Sequence, residues 1–142
     1  MTIPYDRWLG PIIKRAARNM INIHDQKLSR YGLTTSQVSV LSQLWHRDGQ
    51  TLKELAETLG IKAPSLTSIV DGMVSKGWVV RKSVDEDARV KRLFLTEQGK
   101  QLQEVCTEVV LEMEELMRKG FSEEELTIFI TWLKRLMDNV EA

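Results

Sequence analysis

Basic side chains are concentrated in the middle of the chain, and cationic side chains are the groups with which proteins bind phosphate. Seven of them lie between residues 62 and 92: Lys62, Lys76, Arg81, Lys82, Arg89, Lys91 and Arg92. The formal net charge of the 142 residues is zero, but residues 1–100 carry 16 Lys and Arg against 10 Asp and Glu, whereas residues 101–142 carry 4 against 10. This segregation indicates one face for a polyanion, which is either nucleic acid or a membrane surface.

Small residues lie among these cations, at Pro64, Ser65, Thr67 and Ser68. The apolar positions of the same segment recur at helical spacing: Leu66, Ile69, Val70 and Met73. In a helix the apolar positions face inward and leave the small residues outside, where the backbone can approach base edges and phosphates. The alternative interpretation is that these residues only solvate an exposed helix face.

Arg89 lies in the polar stretch Ser83 to Lys91, which separates two apolar runs. An arginine at the tip of a hairpin can enter the narrow minor groove of DNA, where negative potential is concentrated. The acidic residues Asp85, Glu86 and Asp87 oppose that role, unless one carboxylate orients the guanidinium. The alternative is a solvated turn of mixed charge.

Helical periodicity and helix-end signals predict the elements that position these residues. The first is a long helix over about residues 11–29. Three capping boxes open further helices: Thr34–Gln37, Thr51–Glu54 and Ser122–Glu125. The helix after the second box is short and ends at Gly60, and a fourth helix then runs from Pro64 to Gly77.

After the fourth helix the helical spacing of apolar residues ends. The next two apolar runs, Trp78–Lys82 and Arg92–Leu95, are rich in β-branched, aromatic and aliphatic residues. They predict a two-stranded antiparallel hairpin. Thr96 caps a helix of some six turns that ends at Gly120, and the last helix has an apolar stripe that is broad for a surface helix. Short helices followed by a hairpin make a winged helix-turn-helix. The predicted fold class is therefore mainly α with a small β-hairpin, with the winged helix-turn-helix at residues 34–96.

Several short motifs occur in this region: Leu59-Gly60-Ile61, Pro64-Ser65-Leu66, Lys76-Gly77, and Asp87-Ala88-Arg89 followed by Leu95-Thr96 and Gly99. With the order and length of the helices around them, they make the whole chain resemble the MarR/SlyA family of bacterial transcriptional regulators. The resemblance implies a homodimer formed by the helical regions 1–33 and 97–142. It also implies that paired recognition helices and wings read a pseudo-palindromic site in double-stranded DNA.

The residues and the resemblance together predict these DNA-binding side chains: Lys62, Pro64, Ser65, Thr67, Ser68, Lys76, Arg81, Arg89 and Lys91. Similar proteins carry arginine where this chain has Ser68, and often a polar or basic residue where it has Gly72 on the outer or flanking surface, so direct readout of bases should be thin. The resemblance further implies a small phenolic or carboxylate effector, for which Arg15 and Arg18 are the expected anchors. The alternative is that both arginines are solvated or pair with acidic residues.

Other chemistries are poorly supported. His24 and His46 lie on different helices without the spacing of a metal site, and Cys106 is expected to be a packed hydrophobe. We expect no enzyme, metal or cofactor, because phosphate loops, nucleophile elbows and paired catalytic carboxylates are missing. The lack of a signal peptide or a long apolar run predicts a cytoplasmic protein that does not enter membranes. The second hypothesis is a helical protein-interaction module, which the zero net charge and the missing arginine on the fourth helix favour.

Overall fold

The computed structural model describes residues 1–84 and 86–141. After a 3-10 turn at Tyr5–Arg7, the elements follow in this order: α1 (Leu9–Ser29), α2 (Thr35–His46), β1 (Gln50–Thr51), α3 (Leu52–Leu59), α4 (Ala63–Ser75), β2 (Val79–Lys82), β3 (Arg92–Leu95), α5 (Glu97–Arg118) and α6 (Glu123–Val140). The predicted fold class, mainly α with a small β-sheet in a winged helix-turn-helix, is confirmed. None of the described helices combines the length and hydropathy of a membrane-spanning segment.

The chain divides into two compact units, Met1–Val110 and Leu111–Ala142. The first unit holds a core to which the end of α1, the helices α2, α3 and α4, the sheet and the first half of α5 contribute. Its most deeply buried side chains are Leu28, Val40, Leu41, Leu44, Leu55, Leu66, Val70, Met73, Val79, Leu93 and Val109. The helical spacing of these residues explains why each short helix forms, since the stripe that it buries contributes more than its intrinsic propensity. The predicted functional division at residues 34 and 96 stays a prediction.

The sheet has three strands in the order β1-β3-β2, all antiparallel. The prediction of a two-stranded hairpin was therefore incomplete. In the additional strand Gln50 pairs with Leu93 and Thr51 with Arg92. Gln50 is 3% exposed, and its side-chain amide donates to the carbonyls of Gln43 and Arg47 at 2.8 and 2.7 Å. It thus provides hydrogen-bond donors for carbonyl groups at the end of α2.

The local helix-end signals are confirmed. All three predicted capping boxes form, at Thr34, Thr51 and Ser122. Hydrogen bonds from the backbone and side chain of Ser122 hold the pKa of Glu125 below its ordinary value. α1 begins at Leu9, two residues before the predicted start, and places Pro11 in its first turn.

The second unit contains the end of α5 and α6. Leu126 of α6 is buried, and the rings of Phe121 and Phe129 lie 5.9 Å apart. Large apolar side chains of α6 remain exposed: Ile128, Phe129, Ile130, Trp132, Leu133, Met137 and Val140. The broad apolar stripe that the sequence predicts for the last helix is therefore not covered within one chain.

Gly72 of α4 is half-buried and lies on the flank of the helix that is next to Gln37 of α2. A Cβ built on Gly72 lies 3.7 Å from Nε2 of Gln37, which is ordinary van der Waals distance. A methyl group therefore has room at position 72, and a longer basic side chain there would lie beside Gln37. The rest of the outer face of α4 is described with the nucleic-acid interface below.

We expect Gly72→Ala to raise the free energy of unfolding by about 0.5–1 kcal/mol, because a helix-interior glycine costs backbone entropy and the methyl group has room. Urea unfolding at a fixed protein concentration measures the change. A lower midpoint for the alanine variant would show that the contact with Gln37 tolerates no added atom.

Candidate nucleic-acid interface

α3 and α4 form the helix-turn-helix around Gly60. Gly60 adopts the left-handed conformation, with φ of 65°, and ends α3. α4 starts at Ala63 with Pro64 in its first turn, where the missing N–H costs nothing, and Lys62 occupies the N-cap. The positive end of the helix dipole and the exposed residue Lys62 therefore lie at the same end of α4, which favours phosphate.

The outer face of α4 is made of small side chains, as predicted. Leu66, Val70 and Met73 are buried. The opposite residues Pro64, Ser65, Thr67 and Ser68 are all exposed. Because none of these side chains is long, the α4 backbone can come close to a groove.

The wing is the loop between β2 and β3, and its arginine is held by a carboxylate. Arg89 donates from Nε to Oδ1 and from Nη2 to Oδ2 of Asp87, at 3.0 and 3.1 Å, and its backbone N–H also reaches Oδ1 at 3.0 Å. These side-chain and backbone bonds hold the pKa of Asp87 below its ordinary value. The hypothesis that one acidic residue of the loop orients the guanidinium is thus confirmed for Asp87. Asp85 lies outside the described residues.

Arg89 nevertheless remains available to a ligand. Its side chain is 90% exposed, so solvent surrounds the guanidinium apart from the edge that faces Asp87. Ser83 donates to the carbonyl of Ala88 at 3.1 Å and closes the base of the loop. A paired arginine loses less conformational freedom on docking than a free one, so the loop presents a partly ordered cation.

The predicted cations fall into two groups. Lys62 and Lys91 are exposed in the same way as Arg89. Lys76 and Arg81 contact residues that are distant in the sequence, whereas the partner of Arg89 lies two positions away in the same loop. The Lys76 ammonium donates to the carbonyl of Gly32 and lies 4.7 Å from the centre of the Trp78 ring.

Arg81 of β2 makes an ion pair with Asp71 of α4, in which Nη2 lies 2.5 Å from Oδ1. The sequence did not predict this ion pair. The pairing joins two elements whose arrangement depends on the tertiary fold, and no local spacing indicates it. The assignments of Lys76 and Arg81 to DNA stay predictions.

Arg15 and Arg18, the expected effector anchors, are exposed on α1. They border a cleft of about 680 Å³ that Tyr5, Trp8 and Ile12 also line. The Tyr5 and Trp8 rings lie 5.0 Å apart, and Trp8 Nε1 donates to the carbonyl of Ile3 at 2.8 Å. The residues that line the cleft therefore include two aromatic side chains, three basic residues (Lys14, Arg15 and Arg18) and one acidic residue, Asp6.

A second groove of about 540 Å³ runs between α2 and α5 and is lined by Trp45, His46 and Cys106, among others. Cys106 is 4% exposed, and burial raises the pKa of its thiol, so the prediction of a packed hydrophobe is confirmed. The described residues contain no group of three or more His, Cys, Asp or Glu side chains that could hold a metal ion.

Comparison with known proteins gives a consistent result. The sequence model of the MarR family matches residues 33–91. The chain is 27% identical over 126 residues to the HTH-type transcriptional regulator MhqR of Bacillus subtilis, covering 88% of this chain and 86% of MhqR. It is 31% identical over 117 residues to YwoH of the same organism, an uncharacterized HTH-type transcriptional regulator, covering 82% and 85%.

Among solved structures, the Staphylococcus aureus MepR–DNA complex superposes with a TM-score of 0.77 at 25% identity, covering 98% of this chain and all of MepR. MepR is a transcription regulator of the Staphylococcus aureus multidrug efflux pump MepA. The likeness extends over the whole chain and includes the helices outside the winged helix-turn-helix.

Proposed function

Because the chain belongs to the MarR family of transcriptional regulators, we propose that it binds a specific, pseudo-palindromic site in double-stranded DNA as a homodimer. The observation that carries this proposal is the exposed small-residue face of α4 beside an arginine that Asp87 holds in the wing. The helix is suited to the major groove and Arg89 to the adjacent minor groove. On this proposal the protein acts by binding, not by catalysis, and it works in the cytoplasm where the chromosome lies.

Fluorescence anisotropy with labelled duplexes tests the proposal directly. The first duplexes to try cover the DNA upstream of this protein's own gene in overlapping segments. We expect one of them to bind at least about 1,000-fold more tightly than a shuffled duplex of equal length at the same salt concentration. Equal affinity for every upstream duplex and the shuffled one would contradict the proposal.

We expect Lys62→Ala to lower the affinity for the operator and for the shuffled duplex by similar factors, because an exposed lysine at the N-cap of α4 contacts phosphate and not a base. The slope of log affinity against log salt should fall by about one unit. Lys100→Ala, which removes an exposed lysine from α5, is the matched control and should leave the slope unchanged. A loss of operator affinity alone would instead assign Lys62 a role in sequence readout.

We expect a stable homodimer in solution, since α6 leaves Phe129, Ile130, Leu133 and Met137 exposed and apolar patches of this kind are normally covered. α1 likewise exposes Leu9, Ile12 and Ile21. Sedimentation equilibrium at low micromolar concentration should give twice the chain mass of 16.4 kDa. A folded monomer under those conditions would contradict this part of the proposal.

We further propose that a small aromatic acid or phenol binds beside Arg15 and Arg18 and releases the DNA. The support is that Arg15, Arg18, Tyr5 and Trp8 line the same cleft. Salicylate, which carries a carboxylate and a phenol, is a suitable probe. It should reduce operator binding by the wild type and have no effect on an Arg15→Gln/Arg18→Gln double variant that still binds operator.

The second candidate function is a protein-interaction module whose winged domain does not bind DNA. It is favoured by the zero net charge and by the lack of any cation within Ala63–Ser75, the residues of α4. The anisotropy experiment separates the two candidates, because a protein-interaction module has no preference among duplexes.

A further inference from the structure

α4 carries a single charged side chain, and that charge is negative. Within Ala63–Ser75 only Asp71 is ionisable at neutral pH, and its side chain is 61% exposed. A carboxylate on a helix that approaches DNA is repelled by the phosphates, so it lowers the affinity for DNA unless a nearby cation offsets its charge.

The Asp71 carboxylate is matched by one guanidinium. Arg81 Nη2 lies 2.5 Å from Asp71 Oδ1, and the Arg81 side chain is 30% exposed. The pair connects the recognition helix with the strand that leads into the wing. The Asp71 carboxylate offsets the charge of this guanidinium, and the Arg81 side chain is 30% exposed, against 90% for the paired Arg89, so Arg81 offers a phosphate less of its charge and surface while the pair persists.

We propose that Asp71 is a specificity-determining residue that withholds Arg81 from the phosphates of non-operator DNA. The inference rests on the proposed DNA binding. Binding to random DNA depends almost entirely on phosphate contacts, so the loss of one available cation weakens it directly. Operator binding draws also on base and groove contacts, which need α4 and the wing in a fixed arrangement, and the Asp71–Arg81 pair helps to hold that arrangement.

Asp71→Asn should therefore change the two kinds of binding unequally. Release of Arg81 should raise the affinity for a shuffled duplex about five-fold and steepen its salt dependence by about one unit. Operator affinity should change less than two-fold, because the added phosphate contact is offset by the loss of the ion pair between α4 and β2. The specificity ratio should fall accordingly.

Two further variants identify the cause. Asp71→Asn/Arg81→Gln removes the cation as well, so it should lose the gain on the shuffled duplex. Glu104→Gln changes the net charge by the same amount at an exposed position of α5 and should leave both affinities within two-fold of wild type. Melting temperatures establish that all variants are folded.

The inference is overturned if Asp71→Asn binds the shuffled duplex no more tightly than Glu104→Gln does, or if it raises the affinity for both duplexes equally. It is also overturned if the double variant keeps the increased affinity for the shuffled duplex. Each of these results presupposes that the wild type prefers operator. A wild type without any such preference would overturn the proposed function itself, so the two failures are distinguishable in one experiment.

Discussion

Gly99→Ala should lower the free energy of unfolding by about 3 kcal/mol, the upper end of the cost of overpacking a well-packed site. A Cβ built on Gly99 lies 2.1 Å from the backbone carbonyl oxygen of Trp78 and 3.2 Å from Cδ2 of Leu95. The first atom belongs to the backbone and cannot move aside as a flexible side chain would. The first turn of α5 must therefore separate from the start of β2.

That separation would disturb more than one contact, because three elements meet at Gly99. Trp45 of α2 donates from Nε1 to the Gly99 carbonyl at 2.9 Å, and the Gly99 N–H donates to Thr96 Oγ1 at 3.1 Å. Thr96 in turn donates to the carbonyl of Gly77 at 2.6 Å. The glycine thus lies where α2, the hairpin and α5 are joined, and a displaced α5 loses bonds on both sides.

Chemical unfolding at one fixed protein concentration measures this effect, since the stability of a dimer depends on concentration. Gly72→Ala is the matched control: it adds the same methyl group to another helical glycine, where the nearest atom is 3.7 Å away, and should be stabilising. A Gly99→Ala variant as stable as wild type would mean that Trp78 and α5 move apart at little cost.

Much of this fold follows from local sequence. The capping boxes at Thr34, Thr51 and Ser122 form as predicted, because a cap needs only residues three positions apart. The inward faces of the helices follow from apolar spacing in the same way. The Asp87–Arg89 pair is also local, since the partners are two positions apart.

Contacts between distant elements were not predictable by the same means. β1 has two residues and is defined by its pairing with Leu93, more than forty positions away. Lys76 and Arg81 were predicted to bind DNA, whereas their partners in the fold, Gly32 and Asp71, lie in other parts of the chain. A single sequence records a cation but not the carbonyl or carboxylate that the tertiary structure brings to it.

The interface prediction with the largest effect concerns the wing. Arg89→Ala should weaken operator binding by about 1–3 kcal/mol, or roughly 5- to 150-fold, as expected for a guanidinium that contacts a groove or phosphate. The side chain is 90% exposed and already oriented by two bonds to Asp87, so little conformational freedom is lost when it docks. Its removal leaves the folded core untouched, and the melting temperature should not change.

The contribution of the Asp87 bonds can be measured separately. Asp87→Asn keeps the arginine but weakens its bidentate partner, so operator affinity should fall by less than in Arg89→Ala, even though the variant removes a negative charge near the phosphates. Glu86→Gln, at the exposed neighbouring residue, makes the same charge change without touching the pair and should bind operator at least as well as wild type. Titrations at one salt concentration give the order Arg89→Ala weakest, then Asp87→Asn, then Glu86→Gln. If Asp87→Asn instead bound as tightly as Glu86→Gln, the carboxylate would have no part in orienting Arg89 on DNA, and wild-type affinity in Arg89→Ala would remove the wing from recognition altogether.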